Sequence, residues 1–270
     1  MSSIATVWSY RTWILNLTRR ELTSRYKRSV LGWLWSLINP AATLAIYSVV
    51  FGVFLKVEPP VAGNGHTKVF AIYLFIGLVV WNFFNAVVNG AMTALQASGG
   101  MLNKVYFPPE SPAIANMLSA MFQLMIESSI LVVILFAVSN TSWTFLLLPF
   151  LLILLAFMSL GLGLFVSVYN IVYRDVAYLV GIFMQILFYL TPIIYPLSIV
   201  PEYVGPFPAQ WMIAHLNPVA AFVDAARLLL YELVVPPPGE WLVLMLWSFG
   251  IFAIGWITFN RRAAVLIEEL

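Results

Sequence analysis

Long stretches of this sequence hold no charged side chain at all, and that one feature removes most folds from consideration. Residues 29–55, 69–103 and 128–173 contain no Asp, Glu, Lys or Arg. A bilayer core takes about 20 apolar residues per helix and penalises buried charge, so uninterrupted runs of this length mark membrane-spanning helices. The chain is 62% hydrophobic and 9% charged, where soluble domains carry roughly 25% charged residues. The fold class that follows is an all-α polytopic membrane protein with about six transmembrane helices.

The runs place the spans at residues 29–55, 69–95, 113–138, 145–168, 177–195 and 241–259. The long run from Ser128 to Tyr173 divides at Ser139-Asn140-Thr141-Ser142, a cluster of turn formers and helix caps. Residues 196–240 carry prolines at 196, 201, 206, 208, 218, 236, 237 and 238, so they cannot form one continuous helix. Their apolar piece, Val219 to Val235, is interrupted by Asp224, Arg227 and Glu232. A pair of short re-entrant helices is expected there, with a seventh span over 219–235 as the alternative, and Asp224 and Arg227 are able to pair on one helix face.

Basic residues beside short loops set the orientation. A cytoplasmic N-terminus puts Arg11, Arg19, Arg20, Arg25, Lys27, Arg28, Lys104, Arg174, Arg261 and Arg262 inside, and only Lys56, Lys68 and Arg227 outside. Both termini are then expected in the cytoplasm. Residues 1–28 combine this basic cluster with Val7, Tyr10, Ile14 and Leu17 at helical spacing, which reads as an interfacial amphipathic helix rather than a signal peptide. The segment 102–112 is read as a short cytoplasmic helix, since a proline-stiffened run containing Tyr106-Phe107-Pro108-Pro109 exposed to water invites a partner.

The search for reactive chemistry returns little. No Gly-Lys dipeptide occurs, so a P-loop is missing, and neither G-x-G-x-x-G nor G-x-S-x-G is present. There is no cysteine, and His66 and His215 start no metal-ligand spacing, so no metal site is expected. The net charge of +2 gives no nucleic-acid footprint. Glu127 is the lone carboxylate inside an expected span and shares a helix face with Gln123. It fits a polar lining, a relay or a helix-helix hydrogen bond equally well.

Several short motifs stand in a particular order. They are Arg20-Glu21-Leu22, Ser24-Arg25-Tyr26-Lys27, Ser29-Val30-Leu31-Gly32-Trp33-Leu34-Trp35 and Pro40, then Lys104-Val105-Tyr106-Phe107-Pro108, Tyr173-Arg174-Asp175-Val176, and Asn217-Pro218 followed by Arg227. In order and topological placement they resemble the permease subunits of type-2 ABC exporters for lipid-linked polysaccharides, a group that handles O-antigen, galactan, capsule and teichoic-acid polymers. The resemblance covers essentially the whole chain.

It implies a subunit of the bacterial cytoplasmic membrane that is not an enzyme and binds no cofactor. It would pair with a second copy of itself and sit on two separate ATP-binding subunits that hold ATP and Mg. It would move its substrate through a path at the dimer interface. The residues it assigns to ATPase coupling are Arg20, Glu21, Arg25, Tyr26, Asn103, Lys104, Tyr106, Phe107, Glu110, Arg174 and Asp175. Arg174-Asp175 also reads as a local cap for the fifth span. Aromatic rings suit the C–H faces of a passing sugar, which makes Tyr47, Phe51, Trp81, Phe83, Phe84, Phe183, Phe188 and Tyr189, with Glu127, candidates for the lining. Asn217, Pro218, Asp224 and Arg227 are candidates for an external gate. Two rivals stand beside this reading: a drug or small-molecule exporter of the same architecture, and a membrane-embedded glycosyl or acyl transferase using His215, Glu202 or Asp224.

Overall fold

A computed structural model describes residues 4–27, 29–56, 59–102, 107–173 and 175–268. The described residues form helices and turns, with no strand beyond an isolated bridge between Val204 and Phe207. Helices α1 (Ile4–Ser9) and α2 (Arg11–Tyr26) lead into α3 (Trp35–Tyr47), which continues as a π-helical stretch, Ser48–Phe54. Then come α4 (Phe70–Leu102), α5 (Ser111–Ala137), α6 (Leu148–Val172) and α7 (Val176–Leu190). Two short helices, α8 (Ala209–Leu216) and α9 (Pro218–Arg227), precede the long α10 (Pro238–Glu268).

Five helices are long and apolar enough to cross a membrane: Gly32–Phe54, Phe70–Ser98, Ser111–Ala137, Trp143–Val172 and Pro238–Arg262. They stand where the first four and the sixth spans are expected. The fifth differs. Helix α7 has 15 residues, about 22 Å at 1.5 Å per residue, where a hydrocarbon core measures about 30 Å. The expected end at residue 195 is not reached because Pro192 disfavours helical backbone at the residue before it, and Thr191 is extended at ψ 129°.

Helices α8 and α9 meet at 85° around Asn217, between the fifth and sixth expected spans, a bend shared by a re-entrant pair and by a broken span. Asn217 is an N-cap, its Oδ1 accepting from Val219 N at 3.0 Å and Ala220 N at 3.2 Å, and Pro218 follows where its missing N–H costs nothing. The bend lies deep: Asn217 to Val219 share a cavity of about 460 Å³ with Phe84, about 21 Å along α4 from Phe70. From there α9 climbs back to loops at the end of the bundle where α4 begins, and Tyr231 donates to Pro60 O at 2.9 Å.

Helix α4 is the axis of the bundle. Of its apolar span 83% is buried, against 6% for the first span and 22% for the last. Its neighbours α5, α6 and α9 surround it, leaving outward faces of α3, α7 and α10 such as Ile46, Val53, Ile182, Ile186, Leu246 and Phe249 exposed to lipid or to another chain. Helices α6 and α10 approach so closely that a Cβ on Gly255 would collide with Gly161 O, the small-residue contact that lets helices associate where lipid removes the hydrophobic drive. Between α4 and α6, Gln96 Nε2 donates to Asn170 O at 2.9 Å.

Candidate functional site

Three regions carry the polar groups that a spanning bundle would otherwise avoid. The first is the basic end, where α2 lies against the start of α5. Ile14 and Thr18 are buried there, with Val7, Tyr10 and Leu17 half-buried on the same face. Asn116 Nδ2 donates to Glu21 Oε1 at 2.7 Å, and the rings of Trp13 and Phe107 stand 5.5 Å apart.

The expectation that Phe107 is presented to water is corrected here: Phe107 is 2% exposed, shut beneath Trp13. The described part of the 102–112 segment is a turn, Pro109 and Glu110, leading directly into α5. Glu110 is fully buried, yet neither of its carboxyl oxygens has a hydrogen-bond partner among the described residues. Trp13 Nε1, Ser111 Oγ, Asn116 Oδ1 and Ser119 Oγ are buried in the same condition. Arg20 and Arg25 are exposed, and Tyr26 closes α2. Asp175 is exposed at the N-cap of α7 without a side-chain capping bond. Asn103, Lys104, Tyr106 and Arg174 lie outside the described residues.

The second region is a furrow of about 450 Å³ between α3, α4 and α5. Its depth is fixed by a proline. Pro40 has no N–H to give to Ser36 O one turn earlier, so that carbonyl is orphaned inside α3. Gln123 Nε2 reaches across from α5 to Ser36 O at 3.2 Å and also to Glu127 Oε1 at 3.0 Å. Asn39, Asn82, Trp35 and, at the basic end, Arg25 complete the polar wall. Asn82, Asn85, Asn89 and Thr93 recur at helical spacing on α4, and Asn89 Nδ2 donates to Asn85 Oδ1 at 2.8 Å. This stripe is absent from the sequence-based assignments because amides do not interrupt a charge-free run. Its signal is the 82-85-89-93 spacing itself.

The third region is the break after α7. Arg227, on α9, is 2% exposed. Its Nη1 donates to Pro192 O at 2.6 Å, its Nη2 to Ile193 O at 2.8 Å and its Nε to Tyr73 O at 3.4 Å, while its guanidinium lies 3.7 Å over the Tyr73 ring. The expected pairing with Asp224 is replaced by carbonyl contacts. A helix broken at membrane depth exposes carbonyls that lipid cannot satisfy, and one arginine fork satisfies both. Asn217 Nδ2 adds a bond to Thr191 Oγ1 at 2.9 Å. Asp224 stays exposed and faces a cavity of about 520 Å³ that His215, Glu240 and Arg227 also line.

Outside these regions the aromatic candidates divide. Trp81, Phe83 and Phe84 are buried, and Trp81 packs on Phe188 at 5.2 Å. Because α4 is the axis of the bundle, Trp81 and Phe84 sit in the core, and Phe84 also borders the cavity beside Asn217. Tyr47 packs on Phe51, and Phe51 packs on Phe70. Phe183 and Tyr189 are exposed, and only Phe83 borders the furrow.

Residues 13–231 match the ABC-2 type transporter family. The chain is 24% identical over 265 residues to the O-antigen export system permease protein RfbA of Myxococcus xanthus, across 98% of this chain and 97% of that one. It is 27% identical over 214 residues to an O-antigen export system permease protein RfbA of Klebsiella pneumoniae, 78% and 77% of the two chains. To the polysialic acid transport protein KpsM of Escherichia coli it is 24% identical over 223 residues, 80% and 79%.

Proposed function

Since this chain belongs to the ABC-2 type transporter family, we propose that it is the membrane subunit of an ATP-driven exporter for a lipid-linked polysaccharide. The observation that carries the substrate class is the end-to-end likeness to an O-antigen export permease, 98% of one chain against 97% of the other. The chain supplies the path and no catalysis. Hydrolysis of ATP with Mg falls to a separate ATP-binding subunit, two of which serve a pair of these chains in the bacterial cytoplasmic membrane.

The geometry supports a division of labour. The basic end, with α2 and the turn before α5, is the coupling face. Its buried but unpartnered Glu110 and Ser111 are groups that a docked or shifted neighbour would satisfy. The exposed apolar faces of α3 and α7 suit a second copy or lipid. At the opposite end the re-entrant pair α8–α9 stands across the way out. Both termini lie in the cytoplasm by the distribution of basic residues.

The test is reconstitution with a P-loop ATPase subunit from the same organism. Proteoliposomes holding both subunits should move lipid-linked glycan across the bilayer with ATP, and the permease alone should neither hydrolyse ATP nor transport. Transport of apolar drugs but not of glycan by the complex would replace this substrate class with the rival one. Glycosyl or acyl transfer by the isolated chain would overturn the proposal altogether.

A further inference from the structure

We propose that the furrow between α3, α4 and α5 is a sugar-binding subsite within each single chain, holding the glycan residue nearest the lipid while the lipid tail stays in the bilayer. This rests on the lipid-linked glycan reading above and assigns the residues that read the head group.

Placement comes first. Asn39, Asn82 and Ala86 on the wall are exposed, and α3, which forms one side, is scarcely buried at all. The furrow therefore opens sideways, toward lipid or a second copy, and an amphiphile can lay its head in it without drawing its tail out of the apolar phase. Volume comes second. At about 450 Å³ it falls in the range of small-molecule sites, roughly 300–1,000 Å³.

Chemistry decides the occupant. Polar groups at membrane depth are costly and persist where something polar passes. Here they are mostly neutral: the amides of Asn39 and Asn82 each present a donor and an acceptor, Gln123 is spent on Ser36 O and Glu127, and Glu127 adds an acceptor. Vicinal sugar hydroxyls, each both donor and acceptor, match that set. The indole of Trp35 offers a flat face for the C–H side of a sugar ring. Arg25 at the mouth stands where a linking phosphate would emerge. A metal ion is a poor match, since the described residues hold no cluster of His, Cys, Asp and Glu that could bind one. A proton relay needs a series of titratable groups, and the wall holds one carboxylate. The stripe Asn85, Asn89, Thr93 continues the same surface toward the basic end, where a second cavity of about 260 Å³ lies against α2.

The chain has no cysteine, so Ala86→Cys on the furrow wall gives a single reporter. In proteoliposomes with the ATPase subunit, its alkylation by a maleimide is followed on the permease band. The lipid-linked glycan fraction extracted from the producing membranes is compared with the same polyprenyl phosphate stripped of sugar. Glycan-bearing lipid should slow alkylation about tenfold at ten times its Kd, by mass action, and the stripped lipid should not. Asn82→Leu, which alters an exposed side chain, should raise the apparent Kd about tenfold and so cut the protection to about twofold at the same lipid concentration. Gln123 is left intact because it caps Ser36 O. Equal protection by both lipids would reassign the furrow to phosphate or lipid and overturn the sugar subsite. Absence of protection by either, in a complex that exports glycan normally, would overturn it and leave the substrate class standing. A wild-type complex that exports no glycan would bring down that class itself.

Discussion

The two ends of the bundle handle buried polar groups in opposite ways. At the re-entrant end every hard case is closed within the chain. Arg227 takes the carbonyls of Pro192, Ile193 and Tyr73, Asn217 caps α9 and holds Thr191, and Asn140 Nδ2 donates to Leu230 O at 2.9 Å and Tyr231 O at 3.0 Å. At the basic end Trp13, Glu110, Ser111, Asn116 and Ser119 bury polar atoms with nothing to bond, and among the described residues those are the only such atoms. Lipid offers no hydrogen bonds, so an unfinished network at the re-entrant end would break the fold. If the basic end meets water and the proposed ATPase partner, it is able to wait for its missing groups. On the proposed reading, the contrast separates a lock complete in one chain from a socket that another would complete.

The strongest way to break this comparison is to open the lock. Arg227→Met leaves the carbonyls of Pro192 and Ile193 buried without a donor. At about 1–3 kcal/mol per orphaned group, the loss should reach about 3–5 kcal/mol. Arg227→Lys keeps the charge but loses the fork, and should recover less than half of that. Thermal unfolding of the detergent-purified chain reads both. Wild-type stability for Arg227→Met would show that water already serves those carbonyls and that the break lies outside the apolar layer.

Asn140→Ala is next, expected to cost about 2–3 kcal/mol, since it removes bonds to Leu230 O and Tyr231 O together with the acceptor for Asn64 N at 3.1 Å. Thr144→Val, which removes one bond to Leu229 O at 2.7 Å, should cost about 1 kcal/mol. Equal effects from the two would mean that the loop is held by its own turn rather than by the hairpin it ties down.

Asn140 also shows how far the sequence could be read. Its neighbourhood signals a turn between two spans, and the turn is there, but the sequence does not say which distant carbonyls its side chain caps. The spans were legible because charge costs so much in lipid that its absence over many residues is a strong signal. The end of α7 was written in Pro192, but run length outvotes a single proline when spans are drawn from composition. Arg227 was assigned to Asp224 by helical spacing, because a neighbour three residues away is visible in sequence and a broken helix 35 residues away is not. Aromatic candidates could not be sorted at all, since core and lining use the same residue types. Trp81 and Phe183 differ only in which helix ends up central.

The socket is tested by a change that should act with opposite signs in two assays. Glu110→Met keeps the length and removes two buried carboxyl oxygens that have no hydrogen-bond partner among the described residues. The isolated chain should gain about 1 kcal/mol in unfolding stability, while co-purification with the ATPase subunit and glycan export should fall. Loss of stability in the isolated chain would mean that Glu110 already has a partner there, and the two ends would no longer differ.

The smallest effect concerns a short interhelical side-chain bond that the basic end does complete. Asn116 Nδ2 donates to Glu21 Oε1 at 2.7 Å, a charge-assisted bond joining α2 to α5. Glu21 is half-buried and its surroundings include Arg20 and Ser24 around a cavity open to solvent, so water competes for it. A full buried-bond value is therefore too high, and about 0.5–1 kcal/mol is expected for the coupling. Single substitutions would mislead, because Asn116→Ala also removes Oδ1, which is buried without a partner, and that half of the change is favourable. A double-mutant cycle with Glu21→Ala cancels it and isolates the bond. If the cycle returns the expected coupling, α2 is pinned at a point one turn beyond the buried Thr18, and force applied to α2 reaches α5 through Asn116. ATP turnover in the complex should then persist in Glu21→Ala while glycan export per ATP drops. Zero coupling in the cycle would leave α2 held by Ile14, Thr18 and the Trp13–Phe107 contact alone, and any link from that helix to the furrow would have to run through apolar contact rather than through this bond.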